Sequence, residues 1–181
     1  MKRMQSVSIA ALFVLAGTAA GAQAALTLKL SMAAPTVDGI VSAKEYPVAA
    51  DSAGMQVNLA WTADAVYLAV VGQTSGWVAA GLGSRAMDNA VISIGYVAGD
   101  KAQLKVQRGA GHTHGDEQGY VPVKFAMKEA NGQTALELAL KPADFIAKGQ
   151  KQLDLIVAFG GSDSFVSLHR AKARLSVSLA Q

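Results

Sequence analysis

The feature that most constrains the fold of this chain is an alternation of apolar and other residues with a period of two. It recurs in six segments, whose apolar positions are Leu26, Leu28 and Leu30; Val57, Leu59 and Trp61; Val66, Leu68 and Val70; Leu136, Leu138 and Leu140; Leu153, Leu155 and Val157; and Leu175, Val177 and Leu179. Successive side chains of a β-strand point to opposite faces, so this pattern predicts strands with one buried face. No helical period persists over two turns, and the chain is therefore predicted to be all-β.

Short turn signals rich in Gly, Asn and Asp separate these strands, at residues 62–64, 98–100, 131–132 and 160–163. Roughly nine or ten strands are predicted, a number that suits two packed sheets better than one. We therefore expect a two-sheet antiparallel β-sandwich of the immunoglobulin-like kind. Residues 141–147, with Pro142 at the first helical position, predict a short helix, and the Gly-rich polar residues 109–118 predict a surface loop.

The first 24 residues are typical of a cleavable secretory signal peptide. Lys2 and Arg3 precede an apolar stretch over residues 7–20, and Ala22-Gln23-Ala24 matches the small-x-small pattern of a signal-peptidase site. The apolar stretch is shorter than the roughly 20 residues of a membrane-spanning helix, so no membrane insertion of the mature chain is expected. The sequence predicts one domain over residues 25–181, in the periplasm of a bacterium or secreted from it.

Composition excludes several kinds of chemistry. The chain has no cysteine, which excludes disulfides, cysteine nucleophiles, thiolate metal sites and covalently attached c-type haem. The formal charge of +3 falls to +1 once Lys2 and Arg3 are removed, and the remaining bases are scattered, so no nucleic-acid partner is expected. No Ser-His-Asp order, paired-carboxylate signature or phosphate loop is present. These absences make an enzyme the less favoured interpretation.

Three stretches of the mature chain carry a resemblance to a known family. Residues 37–47 contain VDGI and KEYP, residues 57–90 contain the pattern Gly-Trp-Val-Ala-x-Gly-x-Gly followed by a loop with Met87, and residues 157–170 run from VAFG to LHR. In this order and spacing they resemble the DOMON superfamily, which includes the cytochrome domain of cellobiose dehydrogenase and modules like those of carbohydrate-binding family 9. The resemblance covers nearly the whole mature chain and implies a β-sandwich.

In haem-binding members of that family, a Met in the second stretch and a His in the third are the axial iron ligands. The matching residues are Met87 and His169, so the resemblance implies one non-covalent b-type haem (haem b) and a redox partner protein, either a membrane cytochrome or a periplasmic dehydrogenase. A thioether and an imidazole are neutral donors that together fill both axial sites. In a related subunit of molybdenum dehydrogenases the second ligand resembles Lys, which leaves Lys172 and Lys124 as alternatives.

The resemblance also implies how the flat haem ring is held. Glycines let a ring approach the backbone closely, and Trp77 is a candidate wall; the candidate glycines are Gly76, Gly81 and Gly83. Arg170 and Arg174 are candidates for charge-assisted bonds to the haem propionates, although ordinary solvent-facing strand residues would look the same in the sequence.

Two further readings remain open from the residues themselves. DOMON members without haem bind a carbohydrate or another small ligand, for which Trp61 and Trp77 could form a stacking platform, although a core role is the more common fate of such residues. His112, His114 and Asp116 alternate in the polar segment and would point to one side of an extended chain, which suits a weak zinc or copper site or a polar loop without a ligand.

We predict that signal peptidase cleaves after Ala24, because Ala22 and Ala24 supply the small residues that the enzyme requires. Intact-mass measurement of the protein from the periplasmic fraction should give the mass of residues 25–181. A mass that retains the first 24 residues, or recovery only with the inner membrane, would contradict export in this form.

Overall fold

The computed structural model describes residues 25–42 and 44–180, so the predicted signal peptide lies outside the described residues. The described residues form twelve strands and one 3-10 helix: β1 (Thr27–Lys29), β2 (Val48–Ser52), β3 (Met55–Trp61), β4 (Val66–Gly72), β5 (Val78–Leu82), β6 (Val91–Ala98), β7 (Lys101–Ala110), β8 (Thr113–Asp116), β9 (Lys124–Ala130), β10 (Gln133–Leu140), the 3-10 helix Pro142–Asp144, β11 (Gln152–Gly160) and β12 (His169–Ala180). Within the described ranges, no helix has the length and apolarity needed to cross a membrane.

The strands form two sheets that pack face to face. One sheet has seven strands in the order β1-β12-β11-β5-β6-β7-β8, and the other has five in the order β2-β3-β4-β10-β9. All pairings are antiparallel except that of β1 with β12, which is parallel. The predicted all-β two-sheet sandwich is therefore confirmed, with one parallel edge.

The core between the sheets is built from the residues that alternate in the sequence. Leu59, Leu68 and Leu138 from the five-stranded sheet pack with Leu155 and Val177 from the seven-stranded sheet in one buried cluster. The prediction is wrong for one core residue, Leu30, which is 53% exposed. Strand β1 ends at Lys29, and Leu30 beyond it forms only an isolated bridge to Trp61 of β3 in the five-stranded sheet.

Two local predictions differ from the structure in an instructive way. Residues 109–118 are not a loop, because the end of β7 and all of β8 form an antiparallel hairpin within this segment. All four residues of β8 are exposed, so this strand has no buried face to leave an apolar alternation in the sequence. The predicted helix is present only as one 3-10 turn, with Pro142 in its first turn.

A buried carboxylate attaches the segment before β2 to the outer face of the five-stranded sheet. Glu137 in β10 is fully buried. Its Oε2 accepts hydrogen bonds from the backbone N–H groups of Asp38 at 3.0 Å and Gly39 at 2.7 Å, and its Oε1 accepts one from the Tyr46 hydroxyl at 2.6 Å. The VDGI and KEYP stretches therefore meet at a single side chain that the sequence analysis did not identify.

The glycine of the VDGI stretch is required by this arrangement. Gly39 has φ of +86°, and a Cβ atom at this position would lie 2.9 Å from the carbonyl carbon of Met127. Asp38 stabilises the same turn, because its Oδ1 accepts a hydrogen bond from the Ile40 N–H at 2.8 Å. Any larger residue at position 39 would push the two N–H donors away from Glu137.

We predict that Tyr46→Phe lowers the free energy of unfolding by about 1–3 kcal/mol at pH 7, because it leaves a buried carboxylate oxygen without its donor. Urea unfolding measures the loss. Tyr67→Phe is the matched control, since Tyr67 lies on the same face of the sheet but outside the hydrogen bonds of Glu137. Equal losses in the two variants would contradict the proposed role of the hydroxyl.

The same pair of proteins gives a pH test. Burial, followed by the hydrogen bond to Glu137, raises the pKa of Tyr46 well above its ordinary value of 10.0. In the unfolded chain the phenol ionises near pH 10 while the folded chain keeps its proton, so the contribution of Tyr46 is complete below pH 10 and falls as pH rises further. The stability difference between wild type and Tyr46→Phe should therefore narrow above about pH 10.

Candidate functional site

The outer face of the seven-stranded sheet is apolar at its centre. The outward-facing residues of β5, β6 and β11 there are Ala79, Gly81, Ile92, Ile94, Ile156 and Ala158. A sheet face that meets water is ordinarily polar. β5 and the middle of β11 are thus apolar on both faces, because their alternate residues lie in the core between the sheets. This apolar patch is the floor of a pocket.

The pocket has a volume of about 550 Å³, within the range of about 300–1,000 Å³ usual for ligand sites. Three parts of the chain stand around the floor: the β5–β6 loop with Met87, the β7–β8 hairpin with His112 and His114, and the start of β12 with His169. The structure therefore brings both candidate iron ligands, which are far apart in the sequence, to the lining of one pocket.

The loop with Met87 is fixed to the β7–β8 hairpin. Asn89 N–H donates to the Gly109 carbonyl at 3.0 Å, Gly109 N–H donates to the Ala90 carbonyl at 2.9 Å, and Gly111 N–H donates to Asp88 Oδ1 at 2.8 Å. A Cβ atom on Gly109 would lie only 1.7 Å from the Met87 carbonyl oxygen. The loop can therefore cross β7 here only because residue 109 has no side chain. Met87 itself is half-buried and packs against the floor cluster.

The segment before His169 is fixed from the opposite side of the pocket by Trp77. The Trp77 Nε1–H donates to Ser167 Oγ at 2.8 Å, and Ser162 Oγ donates to the same oxygen at 2.9 Å. His169 begins β12 opposite Gly160, where the pairing of β11 and β12 is irregular, and its side chain is exposed. Trp77 lines the pocket, as proposed, and also holds the turn that precedes the histidine.

The candidate glycines have different surroundings. Gly81 lines the pocket, where a Cβ atom would lie 2.7 Å from Ile156 Cγ1. Gly83 lies outside the lining and adopts φ of +88° in the turn after β5. Gly76 is pressed against other backbone, with a Cβ position 2.3 Å from the Ser162 nitrogen. Of the three, only Gly81 lines the pocket.

The cationic candidates also differ in their position relative to the pocket. Lys172 and Arg174 line the pocket, whereas the Arg170 guanidinium lies against Gly161, outside the lining. Lys124 belongs to β9 of the other sheet, so it is remote from Met87. The ion pairs formed among the described residues, Lys105–Asp116 and Arg108–Glu117, involve none of these four cations.

The two tryptophans do not form a common platform. Trp61 belongs to the core between the sheets, and Trp77 belongs to the separate cluster on the outer face of the seven-stranded sheet. A sugar ring could therefore not stack on both.

His114 and Asp116 do alternate on one side of β8, as the sequence analysis proposed, but Asp116 is engaged elsewhere. It accepts from Gln107 Nε2 at 3.3 Å and pairs with Lys105 at 3.8 Å. In the part of the chain that the structure describes, no three His, Asp or Glu side chains cluster as a metal site. The two hairpin histidines instead share the pocket with Met87 and His169.

A second cavity, of about 620 Å³, lies on the outer face of the five-stranded sheet. Gly39 and Ile40 of the segment held by Glu137 form part of its rim, and its polar lining residues are Asp51, Gln56, Gln73, Lys128 and Gln133. No aromatic residue lines it. Its amides and charges can hydrogen-bond a polar ligand, in contrast to the apolar floor of the first pocket.

Neither a protein-family model nor a curated protein matches the chain. Solved structures of two kinds are similar to it. The cytochrome b domain of pyranose dehydrogenase from Coprinopsis cinerea aligns with a TM-score of 0.52 and 13% identity over 68% of this chain and 76% of that chain. The cytochrome domain of Myriococcum thermophilum cellobiose dehydrogenase aligns with a TM-score of 0.55 and 14% identity over 73% and 81%.

The second kind is a family 9 carbohydrate-binding module from Caldicellulosiruptor kristjanssonii, solved in complex with cellotriose. It aligns with a TM-score of 0.54 and 11% identity over 85% of this chain and 92% of that chain. At these identities the similarity is one of fold. The chain thus has the β-sandwich fold that cytochrome domains of sugar dehydrogenases share with family 9 carbohydrate-binding modules, as its resemblance to the DOMON superfamily implied.

Proposed function

We propose that this protein is a periplasmic b-type cytochrome that binds one non-covalent haem between Met87 and His169 and transfers electrons. The observation that carries the proposal is that these two residues line one pocket with an apolar floor. The floor belongs to the outer face of a sheet. Apolar residues there are exposed to water unless a ligand covers them.

The lining residues suit a flat apolar ring with anionic substituents. Gly81 and the small and branched residues around it form a floor without polar side chains, against which a macrocycle can lie. The charged side chains of the lining are Lys172 and Arg174, and no carboxylate lines the pocket. These two cations can form charge-assisted hydrogen bonds with propionates.

When bound, haem supplies an iron that cycles between ferric and ferrous states and so carries one electron. Met87 and His169 would hold the iron with neutral donors, a pair that favours electron transfer over reaction with oxygen or peroxide. The apolar floor would exclude water from the ring. The hydrogen bonds of Asp88 and Trp77 keep the two ligand-bearing segments in place, which limits their movement when the iron charge changes.

The electron must pass to or from another protein, which we propose to be a membrane cytochrome or a periplasmic dehydrogenase. The turn before His169 presents Val166 and Leu168, which are 93% and 87% exposed. Ser167 between them is held by Trp77, so the two aliphatic side chains project from a fixed turn next to the pocket. Such a surface supports contact with a partner at the His169 edge.

We predict that the protein purified from haem-replete cells is red and that dithionite yields the sharp bands of low-spin, six-coordinate haem. Acid-butanone should extract all of the haem, because the chain has no cysteine to bind it covalently. Visible spectroscopy records the bands of the reduced protein, and the colour left after extraction shows how much haem was released. A colourless protein that also fails to take up added hemin would overturn the cytochrome proposal.

Single variants in the same assay identify the ligands. His169→Ala should lose haem or become high-spin, and Met87→Ala should retain haem with a lower reduction potential. Lys172→Ala should keep both ligands and the low-spin spectrum, although weaker propionate contacts should lower haem affinity. A high-spin spectrum in Lys172→Ala, with His169→Ala unchanged, would assign the second ligand to the lysine instead. Met32→Ala, at a fully exposed methionine, is the control for Met87→Ala.

A second candidate function is the binding of a carbohydrate in the cavity of the five-stranded sheet. Its amide-rich lining, with Gln56, Gln73 and Gln133, supports hydrogen bonding to a ligand rich in hydroxyl groups. Calorimetric titration with glucose and cellotriose tests this function directly. Binding that is lost in Gln56→Ala/Gln133→Ala and kept in Trp77→Phe would support it, and absence of binding at millimolar sugar would reject these ligands.

A further inference from the structure

We propose that His114 is a second ligand position on the Met87 side of the pocket, and that its imidazole replaces the Met87 thioether on the iron when the methionine bond is lost. This inference rests on the haem function proposed above. It gives a role to the β7–β8 hairpin, which the sequence predicted to be a surface loop. The pocket would then support two coordination states of the iron, one with Met87 and His169 as ligands and one with His114 and His169.

The strand register places His114 beside the Met87 loop. His114 in β8 pairs directly with Gly109 in β7, so their Cα atoms lie roughly 4.5–5.5 Å apart and their substituents point to the same face of the sheet. Gly109 is the residue that the Met87 loop crosses: a Cβ atom there would lie 3.1 Å from Met87 Cγ. Met87 and His114 therefore flank the same glycine, and both line the pocket.

The two residues also belong to one hydrogen-bonded unit. The bonds that join Asn89 and Ala90 to Gly109, and Asp88 to Gly111, tie the methionine loop to the end of β7 and to the turn that leads into β8. The position of His114 relative to Met87 is thus set by short local bonds, whereas His169 comes from the start of β12. His114 is exposed, so its side chain is free to rotate toward the pocket.

The exchange needs no oxidant or reductant. The iron–sulfur bond to Met87 breaks, and the lone pair of a neutral His114 ring nitrogen forms an iron–nitrogen bond in its place. The iron keeps its oxidation state and stays six-coordinate. Because imidazole is a stronger donor than a thioether, the histidine with histidine state has the lower reduction potential.

His112 is the natural control for this assignment. It also lines the pocket, but it lies in the turn beyond Ala110 and Thr113, the last registered pair of the hairpin. It is therefore farther along the hairpin from Gly109 than His114 is. A pocket that merely accepts any nearby imidazole would treat the two histidines alike.

The test uses the mature protein loaded with haem and follows the spin state of the ferric iron by electron paramagnetic resonance and visible spectroscopy. Met87→Ala should remain low-spin with a bis-imidazole signature. Adding His114→Ala should abolish that signature and give high-spin iron, which added imidazole returns to low spin. Adding His112→Ala to Met87→Ala should leave the signature unchanged. His114→Ala alone should keep the far-red charge-transfer band of a methionine–iron bond.

The outcomes separate this inference from the function on which it rests. A wild-type protein with a methionine–iron band, together with a Met87→Ala variant that is already high-spin, would reject the role of His114 and leave the cytochrome proposal intact. Loss of the bis-imidazole signature in the His112 variant but not in the His114 variant would also reject it. A wild-type protein that takes up no hemin would overturn both proposals. Circular dichroism confirms that each variant is folded.

Discussion

The structure depends on the burial of one face of each sheet against the other. Each fully buried aliphatic side chain contributes about 1.5–3 kcal/mol relative to its exposed state, and the residues that alternate in the sequence supply most of this core. Because the core uses only one side of each strand, the two outer faces are available for other purposes. The five-stranded sheet uses its outer face to bind a segment of its own chain through Glu137. The seven-stranded sheet carries the apolar floor there.

The two outer faces explain why the resemblance identifies the fold more firmly than the ligand. The VDGI and KEYP stretches converge on the carboxylate of Glu137, where Gly39 and Tyr46 act as donors. Their role is structural and does not touch the pocket with Met87 and His169. The resemblance carried by these stretches therefore concerns the fold, and the similar structures, which include both cytochrome domains and a carbohydrate-binding module, agree with it at that level. The pocket with Met87 and His169 lies on the opposite side of the sandwich.

That side is assembled by connections between strands rather than by the strands alone. The methionine loop lies across Gly109 and is tied to the hairpin through Asp88, and the turn before His169 is tied to Trp77. Each connection is short and hydrogen-bonded to a strand of the same sheet. The lining residues therefore stand on a rigid base, which is what a site needs if it is to hold a cofactor with little rearrangement. The same ties bring His114 next to Met87 and make the hairpin part of the site.

The sequence by itself determined the sandwich and most of its core, because alternation has a direct physical cause, whereas Met87 and His169 were candidates that the family resemblance implied. It did not identify Glu137, the β7–β8 hairpin or the shared pocket. Glu137 looks like an outward-facing strand residue, and only the segment folded over it makes it buried. The hairpin has no buried face, so it leaves no periodic signal. Which of Gly76, Gly81 and Gly83 lines the pocket, and which histidine pairs with the glycine under the Met87 loop, depend on contacts between residues far apart in the chain. Such contacts exist only once the sheets have packed, so the tertiary structure alone decided them.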